Sequence, residues 1–250
     1  MIRRLADAVA WPAAGAVAVL AAWWAATDWF GVQGYLLPRP QDVASTLVEL
    51  RGYLAEHTVV TLWEVTAGYA LAVAGGVAAG LVLATWRPAW RALGPLLVAL
   101  HAVPKLPLAV PLVIAFGFGP GPKVTMVVLV CMFPVVLATA AGVQSAPADL
   151  VELARSLCAT RWQTHLKVRL PCALPQILVG CKQAAPLAVI GAVVGELFGA
   201  LGGLGYVIRA ASTDLALVWA ALIILGALSL ALFYAVDAVE RLLTPWADAT

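Results

Sequence analysis

Long apolar runs separated by short polar stretches dominate this chain. A helix needs about 20 apolar residues to cross a bilayer core of about 30 Å. Six windows predict such helices, and they cover residues 8–28, 58–86, 92–118, 124–144, 183–208 and 215–236. The pattern therefore predicts a single all-α integral membrane domain over residues 1–250, with six transmembrane helices.

Two polar interruptions add detail to this pattern. Lys105 stands in the sequence PKLP inside the third window, where the prolines are expected to break the helix. A polar stretch after the first window contains Asp42, which is expected to cap a short helix over Val43–Leu50. We expect this short helix to lie at the outer membrane interface.

The composition supports a membrane location. The 250 residues are 63% hydrophobic and 11% charged, whereas soluble domains are about 45–50% apolar and about 25% charged. The net charge of +2 is too small to indicate nucleic-acid binding. The four cysteines form no CxxC pair and have no histidine at zinc-binding spacing, so no metal site is predicted. The first apolar run is long enough to span, and we expect no cleaved signal peptide.

Lysine and arginine residues orient the predicted bundle. With the N-terminus in the cytoplasm, the outside segments hold only Arg39, Arg51, Lys123 and Arg209. Inside segments then hold the larger set, namely Arg3, Arg4, Arg87, Arg91, Arg155, Arg161, Lys167, Arg169, Lys182 and Arg241. Cytoplasmic loops carry such an excess. Both termini and the long segment 145–182 are therefore predicted to be cytoplasmic.

This cytoplasmic segment is unusually charged, reading VELARSLCATRWQTHLKVRLP over residues 151–171. Asp149 and Glu152 have the spacing of a capping box at a helix start. A turn is expected near Cys158–Thr160, followed by a second helical piece that ends at Pro171. Apolar residues recur at helical spacing and predict one apolar face: Leu150, Leu153, Ala154 and Leu157. Such a segment lies on anionic lipid, forms a solvated loop, or docks on a cytoplasmic partner.

The same segment resembles the EAA loop in the membrane subunits of bacterial ATP-binding cassette importers. Glu152 matches the Glu of that motif, Leu153 stands at its first Ala, and Ala154 matches its second. Cys158 stands where the motif has Gly, and Val168–Pro171 matches its hydrophobic-Leu-Pro ending. A Cys at a position with positive φ would be strained. The departure at Cys158 therefore concerns the geometry of the turn.

The resemblance extends along nearly the whole chain and is closest to permeases of the nitrate, sulfonate, taurine and pyrimidine-precursor branch. Four stretches carry it in the expected order, namely LLPRPQDV, PLLVALHAVPKLPLAVPLVIAFGFG, FPVVLATAAGVQS and GELFGALGGLGYVI. It implies the type I importer-like permease fold, a bacterial inner-membrane location, and a cytoplasmic coupling helix within the segment 145–182.

The resemblance also implies partners. These are a second permease subunit, expected to be an identical copy, two cytoplasmic ATPase subunits that bind ATP and Mg²⁺, and an extracytoplasmic solute-binding protein. The residues expected to couple to the ATPase are Asp149, Glu152, Leu153, Ala154, Arg155, Leu157, Cys158, Ala159, Thr160, Arg161 and Trp162. The stretch GFGPGPKV at residues 117–124 lacks the Gly-Lys-Ser/Thr ending of a P-loop, so ATP hydrolysis is expected on separate chains and this chain is not expected to be an enzyme.

Ionisable residues inside spanning segments are costly and are candidates for the translocation path. Lys105, Glu64, Glu196 and His101 are those candidates. Lys105 either meets the solute or gate, pairs with Glu64 or Glu196, or reaches an interface. The position of Glu64 near the start of its helix favours an interfacial placement, whereas Glu196 is equally compatible with the path and with a position near the outer interface. His101 on an apolar helix also fits a packed core residue.

Glycines at Gly191, Gly195, Gly199 and Gly203 recur every four residues and predict close helix packing, within the chain or between subunits. Taken together, these features indicate the permease subunit of an ATP-driven importer of a small organic solute. The solute is expected to be a pyrimidine, thiamine-precursor-like compound, or else a sulfonate, taurine or nitrate-type anion. The alternative is a secondary transporter or channel that uses Lys105, Glu64 and Glu196 without ATP.

Overall fold

The structure, a computed structural model, describes residues 2–29, 34 and 36–245, and these residues form helices and connections without any strand. The helices are α1 (Ile2–Asp28), α2 (Pro40–Glu49), α3 (Arg51–Thr85), α4 (Arg87–Ala102), α5 (Ala109–Phe116), α6 (Gly121–Gln144), α7 (Ala148–Ser156), α8 (Arg161–Thr164), α9 (Leu170–Gly199), α10 (Leu204–Ala210) and α11 (Leu215–Leu243). A 3₁₀ turn, Leu106–Leu108, precedes α5, and a π-helical turn, His165–Arg169, precedes α9. The all-α prediction is confirmed.

Four helical segments of the described chain are long and apolar enough to cross a membrane: Arg51–Thr85, Gly121–Gln144, Arg161–Gly199 and Leu215–Leu243. A bent pair, Pro88–Ala102 and Leu106–Phe116, adds a fifth span if the two halves are counted together. Within α1, the described apolar stretch Ala14–Asp28 is shorter than these membrane-spanning segments. The sixth span therefore stays a prediction. The predicted location of the C-terminus concerns residues 246–250, which lie outside the described residues.

Several helices extend beyond the predicted windows. Helix α3 begins at Arg51 rather than near residue 58, and α9 begins at Leu170 rather than at residue 183. An apolar window marks the part of a helix that lies in lipid, whereas the backbone hydrogen bonds of a helix continue into the polar region. The segment from residue 145 to residue 182 is therefore shorter as a connection than the sequence predicts.

The prediction that a helical piece ends at Pro171 is wrong. Pro171 lies in the first turn of α9, and Pro175 and Pro186 lie within the same helix. A proline in the first turn needs no backbone N–H partner, and its fixed φ suits the helix. In spanning helices, the groups freed by an internal proline are satisfied by neighbouring helices and local adjustments. The chain thus runs from Arg161 to Gly199 as one helical segment with a π-helical turn.

Helix α2 also begins earlier than predicted. Asp42 does not cap it: Arg39 is the N-cap residue, and no side-chain hydrogen bond is present there. Pro40 occupies the first turn, where its fixed φ is already helical. Asp42 instead lies inside that turn, and the helix ends at Glu49, just before α3 begins.

The third predicted window is broken in the structure. Helix α4 and the following helical pair Leu106–Phe116 meet at an angle of 90°. Lys105 lies at the bend between them, next to Pro104 and before Pro107. The prolines remove two backbone donors at this point, which explains why the helix does not continue.

Helix α6 lies between α3 and α9 and forms the centre of the bundle. A Cβ atom added to Gly68 of α3 would lie 2.5 Å from Val127 Cβ, and one added to Gly191 of α9 would lie 2.9 Å from Val127 Cα. Gly195 approaches Lys123 of α6 in the same way, with a corresponding distance of 2.8 Å. The glycine repeat in α9 therefore packs helices of one chain against each other, as small residues do in membranes.

Candidate functional site

The charged segment between α6 and α9 leaves the bundle as helix α7, a tight turn and helix α8. The predicted capping box at Asp149 and Glu152 is wrong. Pro147 is the N-cap residue of α7, and no side chain caps that end. Asp149 is instead the second residue of α7, in its first turn, where its negative charge interacts favourably with the positive end of the helix dipole.

Helix α7 ends in a Schellman motif centred on Cys158. The Ala159 N–H donates to the Ala154 carbonyl at 3.0 Å, and the Cys158 N–H donates to the Arg155 carbonyl at 2.9 Å. Cys158 has φ 55°, and no other non-glycine residue in the described chain has a positive φ. Glycine is the usual residue at this left-handed position. The structure therefore places a strained cysteine where the EAA motif has glycine.

A capping box does exist in this segment, at the start of α8. The Thr160 hydroxyl accepts a hydrogen bond from the Gln163 N–H at 3.2 Å, and the Gln163 side-chain carbonyl accepts one from the Thr160 N–H at 2.8 Å. The sequence contains the signal for this capping box, Thr160-x-x-Gln163, which the prediction of a box at Asp149 and Glu152 did not include. Both sides of the turn are thus fixed by hydrogen bonds, and α7 and α8 form a built element rather than a loose loop.

The apolar residues of α7 divide between two faces. Val151 and Ala154 are buried, and α7 packs against α8 and the π-helical turn His165–Arg169. Leu150, Leu153 and Leu157 are exposed, with 43%, 56% and 73% of their surface accessible, and Trp162 on α8 is 70% exposed. The single apolar face predicted from Leu150, Leu153, Ala154 and Leu157 is therefore wrong for Ala154. The exposed residues form what we call the outer apolar face, defined as Leu150, Leu153, Leu157 and Trp162.

The remaining coupling candidates lie around the outer apolar face. Asp149, Glu152, Arg155, Cys158, Thr160 and Arg161 are exposed, and Ala159 is half-buried. Among the described residues no ion pair involves Glu152, Arg155 or Arg161. The segment thus presents unpaired charges beside exposed leucine and tryptophan side chains.

A second cluster of polar groups is buried at the other end of the bundle, where α3 and α6 approach the end of α9. The Lys123 ammonium lies 3.1 Å from a Glu64 carboxylate oxygen, and their side chains are only 6% and 4% exposed. Lys123 was predicted to lie in an outside segment, and an interfacial position was considered for Glu64. A buried charge needs a partner, and each of these two residues supplies the other's. The outside position of Lys123 and the interfacial position of Glu64 stay predictions.

Glu196 completes this buried polar cluster, and its side chain is fully buried. Its carboxylate accepts hydrogen bonds from the Thr61 hydroxyl at 2.7 Å and from the Gly205 N–H at 2.5 Å. The Thr61 oxygen in turn accepts the Leu204 N–H at 2.8 Å. Glu196 therefore joins α9, α3 and the start of α10, and its place relative to the membrane interface stays a prediction.

The connection between α9 and α10 is held by the same cluster. The Gly203 N–H donates to His57 Nδ1 at 3.0 Å, and Gly203 has φ 100°, which only glycine adopts readily. A Cβ atom at Gly203 would collide with the carboxylate of Glu196. Three successive backbone N–H groups, those of Gly203, Leu204 and Gly205, thus donate to side chains of α3 or α9.

Lys105 and His101 lie outside the buried polar cluster. The Lys105 ammonium donates to the His101 carbonyl at the end of α4, so the considered pairing of Lys105 with Glu64 or Glu196 is wrong. The exposed His101 ring stacks on Phe133 of α6, with 4.0 Å between ring centroids and 12° between planes. The role of both residues in a translocation path stays a prediction.

Sequence reasoning missed Lys123 and Thr61 as partners of the buried carboxylates, and His57 as the acceptor of the Gly203 N–H. A signal for Lys123 existed, because a glutamate inside an apolar window requires a partner and few lysines are available. The positive-inside count assigned Lys123 to a loop, since it stands only two residues after the start of α6.

The chain is similar to known membrane transport proteins. The family model described as "Binding-protein-dependent transport system inner membrane component" matches residues 76–247. A "Probable ABC transporter permease protein" of Haemophilus influenzae is 38% identical over 205 residues, covering 81% of this chain and 84% of that protein. The formylaminopyrimidine transport permease protein ThiX of Halalkalibacterium halodurans is 36% identical over 217 residues, covering 86% and 87%.

Structural similarity agrees with these matches. An inward-facing structure of the MetNI methionine ABC transporter aligns with a TM-score of 0.70 and 19% identity, covering 78% of this chain and 98% of that chain. The fold is therefore that of a multi-pass ABC importer permease subunit. The chain belongs to the family of binding-protein-dependent transport system inner membrane components. The resemblance drawn from the EAA-like segment is confirmed at the level of the family.

Proposed function

We propose that this chain forms the translocation path of an ATP-driven importer and docks on a cytoplasmic ATPase through the α7–α8 segment. The observation that carries the proposal is the outer apolar face, Leu150, Leu153, Leu157 and Trp162, on an element whose turn is fixed by hydrogen bonds. In this assignment the segment and both termini are cytoplasmic. Family membership supports ATPase, solute-binding and second permease subunits as partners.

The physical argument for docking rests on exposure and rigidity. Exposed apolar residues grouped on one face are typical of protein interfaces, and leucine or tryptophan anchors on a rigid element lose little entropy on binding. A loop that only connected two helices would not need a Schellman motif at the end of α7 and a capping box at the start of α8. A rigid element of this kind can transmit closure of an ATPase dimer to α6 and α9, which flank it in the chain.

The secondary-transporter alternative has no comparable support. It requires Glu64 and Glu196 to be free for ions or solute, but Glu64 pairs with Lys123, and Glu196 is bonded to Thr61 and Gly205. These contacts fasten helices together. Moving a charge out of such a cluster would leave its partner buried and unpaired, which is costly.

The proposed solute class rests on the relatives of this chain. Relatives 30–34% identical are named as transport permeases for riboflavin, aliphatic sulfonates and taurine, beside the formylaminopyrimidine permease. We infer that a small organic solute is carried, and the sequence favours a pyrimidine-type compound over a sulfonate-type anion.

The substitution Glu152→Lys tests the coupling. It reverses one exposed charge beside the outer apolar face, so the permease is expected to fold, insert and bind its ATPase partner weakly or in a changed register. We expect ATP-driven uptake in proteoliposomes to fall more than about tenfold, equivalent to about 1.4 kcal/mol, while ATP hydrolysis continues without uptake.

Glu56→Lys is the matched control, because Glu56 is also exposed on a helix but lies near the start of α3. It should leave the ratio of ATP hydrolysis to uptake at the wild-type value. Wild-type uptake by Glu152→Lys, or equal losses in both variants, would overturn the assignment of the α7–α8 segment to coupling.

A further inference from the structure

A groove of about 390 Å³ lies between α4, α6 and α9, away from the buried polar cluster. Aliphatic side chains and Pro134 form most of its wall. Three polar side chains also line it, namely His101 of α4 and Gln176 and Gln183 of α9. All three are exposed on the surface of the single chain.

The two glutamines place polar groups on one side of α9, just before and at the start of the apolar window 183–208, where water or protein can satisfy them. Gln176 and Gln183 have i, i+7 spacing, which places them on one side of the helix. Both belong to the segment Arg161–Gly199, which is apolar enough to span a membrane. An exposed amide facing hydrocarbon would lose its hydrogen bonds to water, which costs on the order of a few kcal/mol.

The groove has no acidic or basic lining residue other than His101. Two lysines are close in sequence, but neither lines the groove. Lys105 donates to the His101 backbone carbonyl, and Lys182, next to Gln183, is paired with Asp237 and Glu240 of α11. Among the described residues, the groove lining thus includes no lysine or arginine, whereas the two amides offer both hydrogen-bond donors and acceptors.

The stacked rings of His101 and Phe133 add a flat surface to the groove wall. Both residues line the groove, and their rings are nearly parallel. Offset stacking of a further aromatic ring on such a pair is favourable by about 0.5–1.5 kcal/mol beyond simple burial. A flat ring with polar edges would meet the aromatic pair and the glutamine amides at once.

We propose that this groove is the part of the translocation path that contacts the solute, and that it suits an uncharged, flat, hydrogen-bonding solute such as a pyrimidine rather than an anion. His101, Gln176 and Gln183 are the contact residues. The proposal rests on the proposed importer function, and it adds the residues and the charge class of the solute.

Cysteine labelling tests whether the groove is open to water. Gln176→Cys and Gln183→Cys are made singly after Cys158 and Cys172 are replaced by serine, since Cys131 and Cys181 are buried. Leu230→Cys on α11 is the control, because Leu230 is 55% exposed and has apolar surroundings in sequence. The complete transporter is reconstituted in proteoliposomes and treated with a charged, membrane-impermeant thiosulfonate reagent.

We expect both groove cysteines to react at least about tenfold faster than Leu230→Cys, because a charged reagent enters hydrocarbon only at a cost of several kcal/mol. Reaction of both at the slow rate of Leu230→Cys would overturn the proposal. The labelling does not require ATP. If the groove cysteines are labelled fast but the wild-type transporter shows no ATP-driven uptake, the importer function is contradicted and the open groove is not.

A matched pair of opposite charges tests the solute class. Gln183→Glu and Gln183→Lys are compared for uptake of formylaminopyrimidine and of an alkanesulfonate, with ATP hydrolysis stimulated by the binding protein as the readout of an intact complex. For an uncharged solute both substitutions should lower uptake similarly, by about 2- to 10-fold, the equivalent of one hydrogen bond. Sulfonate uptake that survives Gln183→Lys but is abolished by Gln183→Glu would overturn the proposed class.

Discussion

Two regions of this molecule carry most of its informative polar groups, and they treat those groups in opposite ways. In the buried polar cluster, Lys123 pairs with Glu64, and Glu196 accepts hydrogen bonds from Thr61 and Gly205. In the α7–α8 segment, Glu152 and its neighbours are exposed. The first region partners its charges inside one chain, with Glu64 Oε2 as the one buried side-chain oxygen or nitrogen of the described residues left without a hydrogen bond. The second region leaves both charges and leucines open to contact.

The contrast separates structural charge from interface charge. A charge in the apolar interior must be partnered within the fold, because an unpaired one costs several kcal/mol. A charge at the surface has water as an alternative partner, so its pairing inside the chain is worth little. The buried polar cluster is therefore expected to control stability, and the α7–α8 segment is expected to control binding with little effect on stability.

The largest effect is expected from Lys123→Met. This change leaves Glu64 buried without its partner, and we expect the free energy of unfolding to fall by about 3–5 kcal/mol. Reversible unfolding in mixed detergent micelles measures it. The double variant Lys123→Met with Glu64→Gln should recover most of the loss, because neither charge is then left unpaired. Equal stability of the single and double variants would contradict the ion pair.

A smaller loss is expected from Gly203→Ala. The added Cβ would occupy the place of the Glu196 carboxylate, and φ 100° disfavours alanine. We expect about 2–4 kcal/mol of destabilisation in the same assay, within the range for strained backbone and overpacked sites. Gly226→Ala in α11 has open space around it and serves as the control, with a gain of up to about 1 kcal/mol. Similar stability of both variants would show that the α9–α10 connection is loosely held.

The smallest effect is expected from Cys158→Gly in the α7–α8 segment. Glycine relieves the left-handed strain at φ 55°, which is worth about 1 kcal/mol. Amide hydrogen exchange at the end of α7 should slow accordingly, while the unfolding free energy of the whole protein changes little. Cys158→Ala keeps the strain and should not slow exchange. If alanine slowed exchange as much as glycine, the thiol rather than the backbone would be responsible.

The all-α membrane architecture could be predicted from the sequence, because long apolar windows directly indicate the segments that contact lipid. It misplaced helix starts at α3 and α9, since polar residues continue a helix outside lipid without an apolar signal. It also assigned capping roles to Asp42 and Asp149, although a neighbouring proline sets the start of both helices. In α2, Pro40 lies in the first helical turn, whereas in α7 Pro147 is itself the N-cap residue.

The α7–α8 segment, including Cys158 at the turn, could be predicted from its EAA-like motif. The geometry of a turn depends on residues that are adjacent in the sequence, so a short motif is enough to indicate it. The buried polar cluster was not recognisable in the same way. Thr61 and Glu196 lie far apart in the chain, and their contact depends on how α3 and α9 pack. One sequence shows which charges need partners, but not which partners tertiary packing brings to them.

The most direct test of the account is the affinity of the ATPase for a permease that carries Leu153→Ala and Leu157→Ala. Both side chains are exposed, so the unfolding free energy should stay within about 0.5 kcal/mol of the wild type. Binding of the ATPase to the permease in lipid nanodiscs should weaken at least about tenfold, since truncating interface anchors costs more than about 1 kcal/mol each. Wild-type affinity, or a loss of stability in place of a loss of affinity, would contradict the division between a structural cluster and a docking segment.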